Sequence, residues 1–143
     1  MNLTYALFTD RGDRAVNEDS IGVCSKENEH CFVLCDGLGG HGMGDAASSL
    51  VAEVFKNQFK KSGNSSDFLA SAFMAAQDIL MAKQIELKAR HKMKTTAVSL
   101  VTDEKTLISV MWGIPEFTYS EKTRSIKEHW ITAFRKCLCF PKT

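Results

Sequence analysis

The sequence predicts an α+β fold in which helices pack on antiparallel β-structure. Strand-like segments occur as adjacent pairs separated by short polar turns, a pattern typical of hairpins. Two helical segments follow one another between these pairs instead of alternating with single strands, which favours an antiparallel sheet over a doubly wound parallel one. A length of 143 residues with 44% hydrophobic and 24% charged residues suits one modest globular domain.

The N-terminal region predicts three strands and two turns. Residues 3–9 alternate between polar and apolar side chains and predict a first strand, followed by an Asp- and Gly-rich turn at 10–13. Residues 20–25 and 30–36 predict a hairpin around the polar turn 25–29. The run from residue 31 to residue 35 is continuously apolar, so we expect the second strand of this hairpin to be buried.

Two helices are predicted after a loop at 37–44 that holds five glycines. The first runs from residue 45 to about residue 61 and ends at the breaker 62–65. The second is capped by Ser66 or Asp67 and runs to about residue 91. Apolar residues at helical spacing predict the buried faces: Ala47, Leu50, Val51, Val54, Phe55 and Phe59 (or Gln58) in the first helix, and Phe68, Leu69, Ala72, Phe73, Ala76, Ile79 and Leu80 in the second.

A final pair of strands is predicted at 95–102 and 106–112, around the turn 103–105. Cysteines are odd in number and no export signal accompanies them, so we interpret Cys24, Cys31 and Cys35 as reduced thiols packed in strands. Cys137 and Cys139 are too closely spaced for the usual metal knuckle.

Two constellations carry candidate chemistry. In the first, Arg14 lies four residues before the acidic pair Glu18 and Asp19, which by itself describes a charged surface turn. In the second, a buried strand leads into Asp36 and the glycine-rich segment from Gly37, which by itself describes a tight loop closed by an Asx-turn. The lysine and hydroxyl residue of a Walker phosphate loop are absent, so the glycines alone do not establish phosphate binding.

The two constellations together, at their spacing in the sequence, form a more specific pattern than either one alone. Arg-x-x-Asn-Glu-Asp, then about fifteen residues, then Asp-Gly-x-Gly-Gly-His resembles the N-terminal signature of the protein phosphatase 2C (PPM-type) family, in its bacterial form. The segment 94–98 also fits, although Lys94 stands where the family usually has glycine. The resemblance covers residue 4 to about residue 113.

The resemblance implies a β-sandwich of antiparallel sheets flanked by helices, of which this chain supplies part. It implies a metal-dependent protein serine/threonine phosphatase that uses two Mg²⁺ or Mn²⁺ ions and an activated water. Asp36 would contact both metals, Glu18 and the Gly37 carbonyl would complete one of them, and Asp19 would support the site through water. Arg14 would hold the substrate phosphate with its planar, two-pronged donor.

The sequence does not identify the residue that donates a proton to the leaving group. His41 lies in the glycine-rich turn, where a histidine more often caps a loop than donates a proton. Some family members have a histidine directly after the Asp-Gly pair, and this chain has Leu38 there.

The expected partners are proteins phosphorylated on serine or threonine, together with a cognate serine/threonine kinase. A net charge of +1 gives no reason to expect nucleic acid or an acidic membrane. No apolar run approaches the ~20 residues that span a bilayer, and residues 1–14 do not resemble a signal peptide. We therefore expect a cytoplasmic protein.

The resemblance stops near Gly113, where the family continues Asp-Ser-Arg and this chain continues Ile114-Pro115. Reading the codons one base earlier permits Asp-Ser-Arg-Ile-Tyr-Ile-Phe-Arg-Lys, and further along a motif resembling the family's Thr-x-Asp-His-Ser-Val-x-Gln. We interpret residues 1–113 as part of a phosphatase domain and residues 114–143 as an out-of-frame tail.

The two later metal-binding aspartates of the family are then missing, and we expect this chain to be truncated and inactive. The alternative is a non-catalytic fragment that binds phosphoprotein, or a single metal, without turnover.

Overall fold

A computed structural model of the chain describes residues 3–38, 42–103 and 105–114. The elements run β1 (Asp19–Lys26), β2 (Glu29–Asp36), α1 (Gly44–Ser62), α2 (Phe68–Glu86), β3 (Thr95–Thr102) and β4 (Leu107–Ile114). The strands form a four-stranded sheet in the order β1-β2-β3-β4, and each neighbouring pair is antiparallel. The predicted α+β fold is confirmed, with one sheet and two helices in the described part of the chain.

The hairpin of β1 and β2 has a tighter turn than predicted. Lys26 pairs with Glu29, so only two residues connect the strands. Glu27 adopts a left-handed conformation with φ of 55°, which lets the chain reverse within this short connection. The two strands themselves match the predicted segments to within a residue.

Gly22, on the face of the sheet toward helix α1, leaves room for the side chain of Val33 on the neighbouring strand. A Cβ atom at Gly22 would come within 2.7 Å of the Val33 side chain and 3.4 Å of the Ala52 carbonyl oxygen in α1. Val33 lies opposite Gly22 and is fully buried on the same face of the sheet. Cys24, Cys31 and Cys35 are buried free thiols, as predicted.

An aromatic cluster joins the two helices. Phe55 of α1 meets Phe73 of α2 edge to face, with ring centroids 4.8 Å apart, and Phe59 meets Phe68 in the same manner at 5.2 Å. Most of the predicted helical core is buried, but Leu50 and Leu69 are only partly covered. The prediction that Ile79 is buried is wrong, because α2 buries one stripe against α1 and leaves Ile79 44% exposed.

Helix α2 ends at Glu86, five residues earlier than predicted. The chain turns through Lys88, whose φ is 50°, and folds back so that Ala89 and Met93 enter the core. The Gln84 side chain holds this return by donating a hydrogen bond to the Met93 carbonyl at 2.6 Å. Asp67 precedes the helix as predicted, but its side chain makes no capping hydrogen bond.

The predicted first strand at residues 3–9 is wrong. The segment has no strand partner among the described residues, and a strand is stabilised only by pairing. Instead, Tyr5 packs edge to face on Phe32, with ring centroids 5.1 Å apart, on the side of the sheet away from the helices. Leu7 and Phe8 stay exposed. The predicted turn at 10–13 is present, with the Gly12 amide donating to the Asp10 carboxylate at 2.7 Å.

The second hairpin agrees with the prediction. Strands β3 and β4 pair from Thr102 and Leu107 back to Thr95 and Ile114. Residues 39–41, residue 104 and residues 115–143 lie outside the described part, so the tail, Cys137 and Cys139 are not described. None of the helices described here is both long enough and apolar enough to cross a bilayer.

Candidate metal centre

Two carboxyl groups lie side by side where the first hairpin ends. Asp19 is the first residue of β1 and Asp36 is the last residue of β2, and the antiparallel register places them directly opposite one another. Both residues reach solvent at this end of the hairpin, whereas Cys35, just before Asp36, is fully buried. The buried strand therefore fixes the backbone and presents the carboxyl group to solvent.

The environment of Asp19 disfavours its charged form. Partial burial, followed by the negative charge of Asp36 and a side-chain hydrogen bond between the two groups, raises the pKa of Asp19 above its ordinary value. The guanidinium of Arg14 opposes this rise and the carboxylate of Glu18 adds to it. Close carboxylates repel unless a proton or a cation lies between them, so this pair has the electrostatics of a cation site.

Hydrogen bonds from two other segments hold the turn after Asp36. The Gly37 amide donates to the Glu18 carbonyl at 3.1 Å, and the Leu38 amide donates to the Lys94 carbonyl at 3.0 Å. The Thr95 hydroxyl donates to the Asp36 carbonyl at 2.9 Å. Gly37 also forms an isolated antiparallel bridge with Thr95. The turn is thus tied to the segment before β1 on one side and to β3 on the other.

Glycine is required at the centre of this turn. A Cβ atom at Gly37 would collide with the backbone carbonyls of Gly44 and Glu18. A Cβ atom at Gly44 would come within 2.8 Å of Glu18 Oε1, so the carboxylate of Glu18 packs against the first residue of α1. The positive end of the helix dipole therefore lies beside this carboxylate, whose side chain is only 14% exposed.

Arg14 lies at the solvent side of the same cluster. Its Nη1 atom is 3.4 Å from Glu18 Oε2, and its side chain is 66% exposed. The segment that carries it is held by Asn17, which donates to the Thr9 hydroxyl at 2.8 Å and accepts from the Asp19 amide at 3.1 Å. An exposed guanidinium paired over this distance is free to exchange its partner for another anion.

The donor set fits a hard divalent cation in kind but not in number. Glu18, Asp19, Asp36 and the Gly37 carbonyl supply only oxygen atoms, the ligands that Mg²⁺ and Mn²⁺ prefer. Within residues 3–38, 42–103 and 105–114, no group of three or more His, Cys, Asp and Glu side chains is arranged to hold a metal ion. His41 lies outside the described residues. The structure thus gathers Glu18, Asp19, Asp36 and Gly37 at one end of the hairpin without forming a recognisable metal site among the described residues.

Thr95 is a member of this cluster to which the sequence assigned no role. The sequence contained one indication of such a role, because a hydroxyl residue begins the strand that pairs with β2. The contact to Asp36 joins residues 59 positions apart, so only the folded chain reveals it.

The described part of the chain is similar to solved bacterial phosphatases. No family model matches the sequence, and no curated protein matches it significantly. The serine/threonine phosphatase Stp1 from Staphylococcus aureus has a similar structure, with a TM-score of 0.69 and 29% identity over 78% of this chain and 46% of that one. A bacterial serine phosphatase is similar with a TM-score of 0.68 and 28% identity, over 77% of this chain and 47% of that one.

The chain spans about half the length of these phosphatases. Its hairpin, two helices and second hairpin agree with the fold that the Arg14–Asp19 and Asp36–Gly42 motifs implied. In both sequence motifs and fold, the chain resembles the N-terminal part of a bacterial protein phosphatase 2C (PPM-type) serine/threonine phosphatase.

Proposed function

We propose that this chain carries the N-terminal half of the metal centre of a metal-dependent protein serine/threonine phosphatase. The observation that carries the proposal is the end of the first hairpin, where Asp36 and Gly37 lie opposite Asp19 and beside Glu18. This cluster occurs in a fold whose solved neighbours include the serine/threonine phosphatase Stp1 and a bacterial serine phosphatase. The activity belongs to the complete centre, of which the described residues supply part.

The residues of the hairpin end would share the work of holding Mg²⁺ or Mn²⁺. Asp36 and the Gly37 carbonyl are on a turn that is already fixed by hydrogen bonds, and Glu18 adds a carboxylate that is largely shielded from solvent. Asp19 would stabilise the ion's hydration shell from across the hairpin. Bound divalent ions would supply an activated water and neutralise charge on the phosphoryl group.

Arg14 would bind the substrate phosphate. Its guanidinium is mostly exposed and already directed at the acidic cluster through Glu18. A planar guanidinium can donate two parallel hydrogen bonds to two phosphate oxygens, which a lysine cannot do with the same geometry. Moving from Glu18 to a phosphate would require only a change of side-chain conformation.

The substrates we propose are proteins phosphorylated on serine or threonine, supplied by a cognate kinase of the same specificity. The three buried cysteines are free thiols, which suits a reducing compartment, and we place the parent protein in the cytoplasm on that ground.

A second candidate function is metal binding without turnover. It is favoured by the small number of ligands, because two hard cations that each prefer about six oxygens need more donors than this cluster offers. The two candidates make the same prediction for a first metal ion in this chain, and they differ in whether the protein with a complete ligand set hydrolyses a phosphomonoester.

Titration of the full chain with Mn²⁺, followed by electron paramagnetic resonance, tests the proposed site. We expect one weak site that is lost in Asp36→Asn and kept in the control Asp78→Asn, which changes an exposed aspartate on α2. Mn²⁺ binding that is the same in Asp36→Asn and wild type would refute the assignment. Two tight sites would refute the incomplete ligand set.

A further inference from the structure

We propose that Thr95 is a positioning residue for the metal ligands, acting through the backbone of Asp36 and Gly37. The proposal rests on the proposed function, since it assigns a role toward the same metal centre. Thr95 is the first residue of β3 and is 2% exposed. Its side chain is therefore in no position to contact solvent or substrate, and any role it has must pass through its neighbours.

The Thr95 hydroxyl has two acceptors. Its Oγ1 atom is 2.9 Å from the Asp36 carbonyl and 2.9 Å from the carbonyl of Thr96. A hydroxyl has one proton to donate, so the two carbonyls share it. The carbonyl of Thr96 belongs to the same strand, whereas the bond to Asp36 connects β3 to the candidate metal ligands.

The peptide group between Asp36 and Gly37 is held at both ends. Thr95 contacts its carbonyl oxygen, and the Glu18 carbonyl accepts from its amide at 3.1 Å. Because a peptide group is planar, fixing both polar atoms fixes the orientation of the whole plane. The Asp36 side chain leaves the backbone directly before this plane, so its direction is restricted as well.

The next peptide group has its carbonyl directed away from β3. The Leu38 amide donates to the Lys94 carbonyl at 3.0 Å, which directs this amide toward the residue before Thr95. In a trans peptide the carbonyl oxygen points opposite to the amide hydrogen. The Gly37 oxygen therefore points away from Lys94. Thr95 thus fixes one plane, and Lys94, the residue before β3, fixes the next.

This role predicts which substitutions keep metal binding. Thr95→Ser retains the hydroxyl and should bind Mn²⁺ as the wild type does. Thr95→Val retains the shape and the β-branched character that suit a strand but removes the donor. Thr96→Val is the matched control, because it makes the same chemical change at the adjacent, exposed residue.

The experiment measures the Mn²⁺ dissociation constant of the full chain by electron paramagnetic resonance, with a thermal melt in chelator for each variant. We expect Thr95→Val to bind at least about tenfold more weakly, the loss typical of residues that orient metal ligands, and Thr95→Ser and Thr96→Val to bind like the wild type. Equal dissociation constants for Thr95→Val and wild type at a temperature where both are folded would overturn the proposal, even if Thr95→Val melts earlier.

Two further outcomes are decisive. If wild type binds Mn²⁺ independently of Asp36, the proposed function fails, whereas loss of binding in Asp36→Asn alone, with Thr95→Val unchanged, refutes only the role of Thr95. If Thr95→Val does not fold, Thr95→Ala removes the same donor and is compared with Thr96→Ala in the same measurement. Weaker Mn²⁺ binding by Thr95→Ala alone supports the role of Thr95, and equal dissociation constants for the two variants contradict it.

Discussion

Asp19 and Asp36 place two carboxyl groups next to each other in a position where mutual repulsion opposes folding. Residues arranged for stability alone would not bring like charges together at the end of a hairpin. The pKa of Asp19 is raised, first by burial and then by the negative charge of Asp36. The folded chain therefore disfavours the charged form of Asp19. A site that binds a cation gains affinity from the same repulsion that weakens the metal-free fold.

Replacing Asp19 by asparagine should therefore stabilise the metal-free chain. Because the pKa of Asp19 is higher in the folded than in the unfolded chain, stability present at low pH is lost as pH rises through the raised pKa. Asp19→Asn should raise the thermal midpoint at pH 7 in chelator, and the difference should vanish near pH 3. Asp78→Asn is the control, and a lower midpoint for Asp19→Asn at pH 7 would contradict the account.

The buried thiols should be inert in the native chain. Burial raises the pKa of Cys31 to about 11 and that of Cys35 to about 12, so neither forms an appreciable amount of thiolate at pH 8. In a Cys137→Ser/Cys139→Ser variant, Ellman's reagent should react slowly with the native chain and rapidly with all three remaining thiols in denaturant. Rapid reaction of the native chain would show that the core opens readily.

Among the elements, the turn of the first hairpin is joined to the turn between the helices. The Glu29 carboxylate accepts a hydrogen bond from the backbone amide of Asn64 at 2.8 Å, and the Lys26 ammonium donates to the Lys61 carbonyl at 3.1 Å. Gly63 makes room for the Glu29 carboxylate, since a Cβ atom there would collide with it. This contact fixes the end of α1 that lies opposite the candidate metal centre.

Removal of the Glu29 side chain should loosen this junction. Glu29→Ala leaves the partly buried Asn64 amide without its acceptor, which typically costs about 1–3 kcal/mol of unfolding free energy. Glu29→Gln keeps an acceptor oxygen and should lose less, and Glu27→Ala, at an exposed neighbouring position, should lose little. Urea denaturation of the four chains measures these differences. Equal losses for Glu29→Ala and Glu27→Ala would refute the role of the contact.

Elements defined by local pattern were predictable, and contacts between distant segments were not. The hydrophobic spacing of α1 and the pair of strands around the turn 103–105 depend on residues close in sequence, and both were predicted. Residues 3–9 show equally clear alternation, but a strand also needs a partner, and none lies beside them in the described chain. Likewise, the motifs named Asp36 and Gly37, whereas the hydroxyl of Thr95 joined them only through folding.

For the molecule as a whole, the number of metal ligands depends on the reading frame beyond Gly113. We expect the nucleotide sequence read one base earlier from this point to continue the phosphatase domain. Downstream it should encode two more metal-type aspartates, one followed by glycine and one by asparagine. Sequencing across Gly113 and beyond residue 143 checks this, and a shifted frame that is interrupted by stop codons or unrelated to the family would contradict it.

If the proposed function is right, the protein read in the shifted frame should be active, because its additional carboxylates would hold a second metal ion. Absence of one metal site would cost several kcal/mol of transition-state stabilisation, roughly 10³-fold or more in rate. The most direct test compares Mn²⁺-dependent hydrolysis of p-nitrophenyl phosphate by chain 1–143, its frame-restored counterpart and the restored Asp36→Asn variant. We expect turnover by the frame-restored protein alone. Turnover by chain 1–143, or by restored Asp36→Asn, would contradict this expectation.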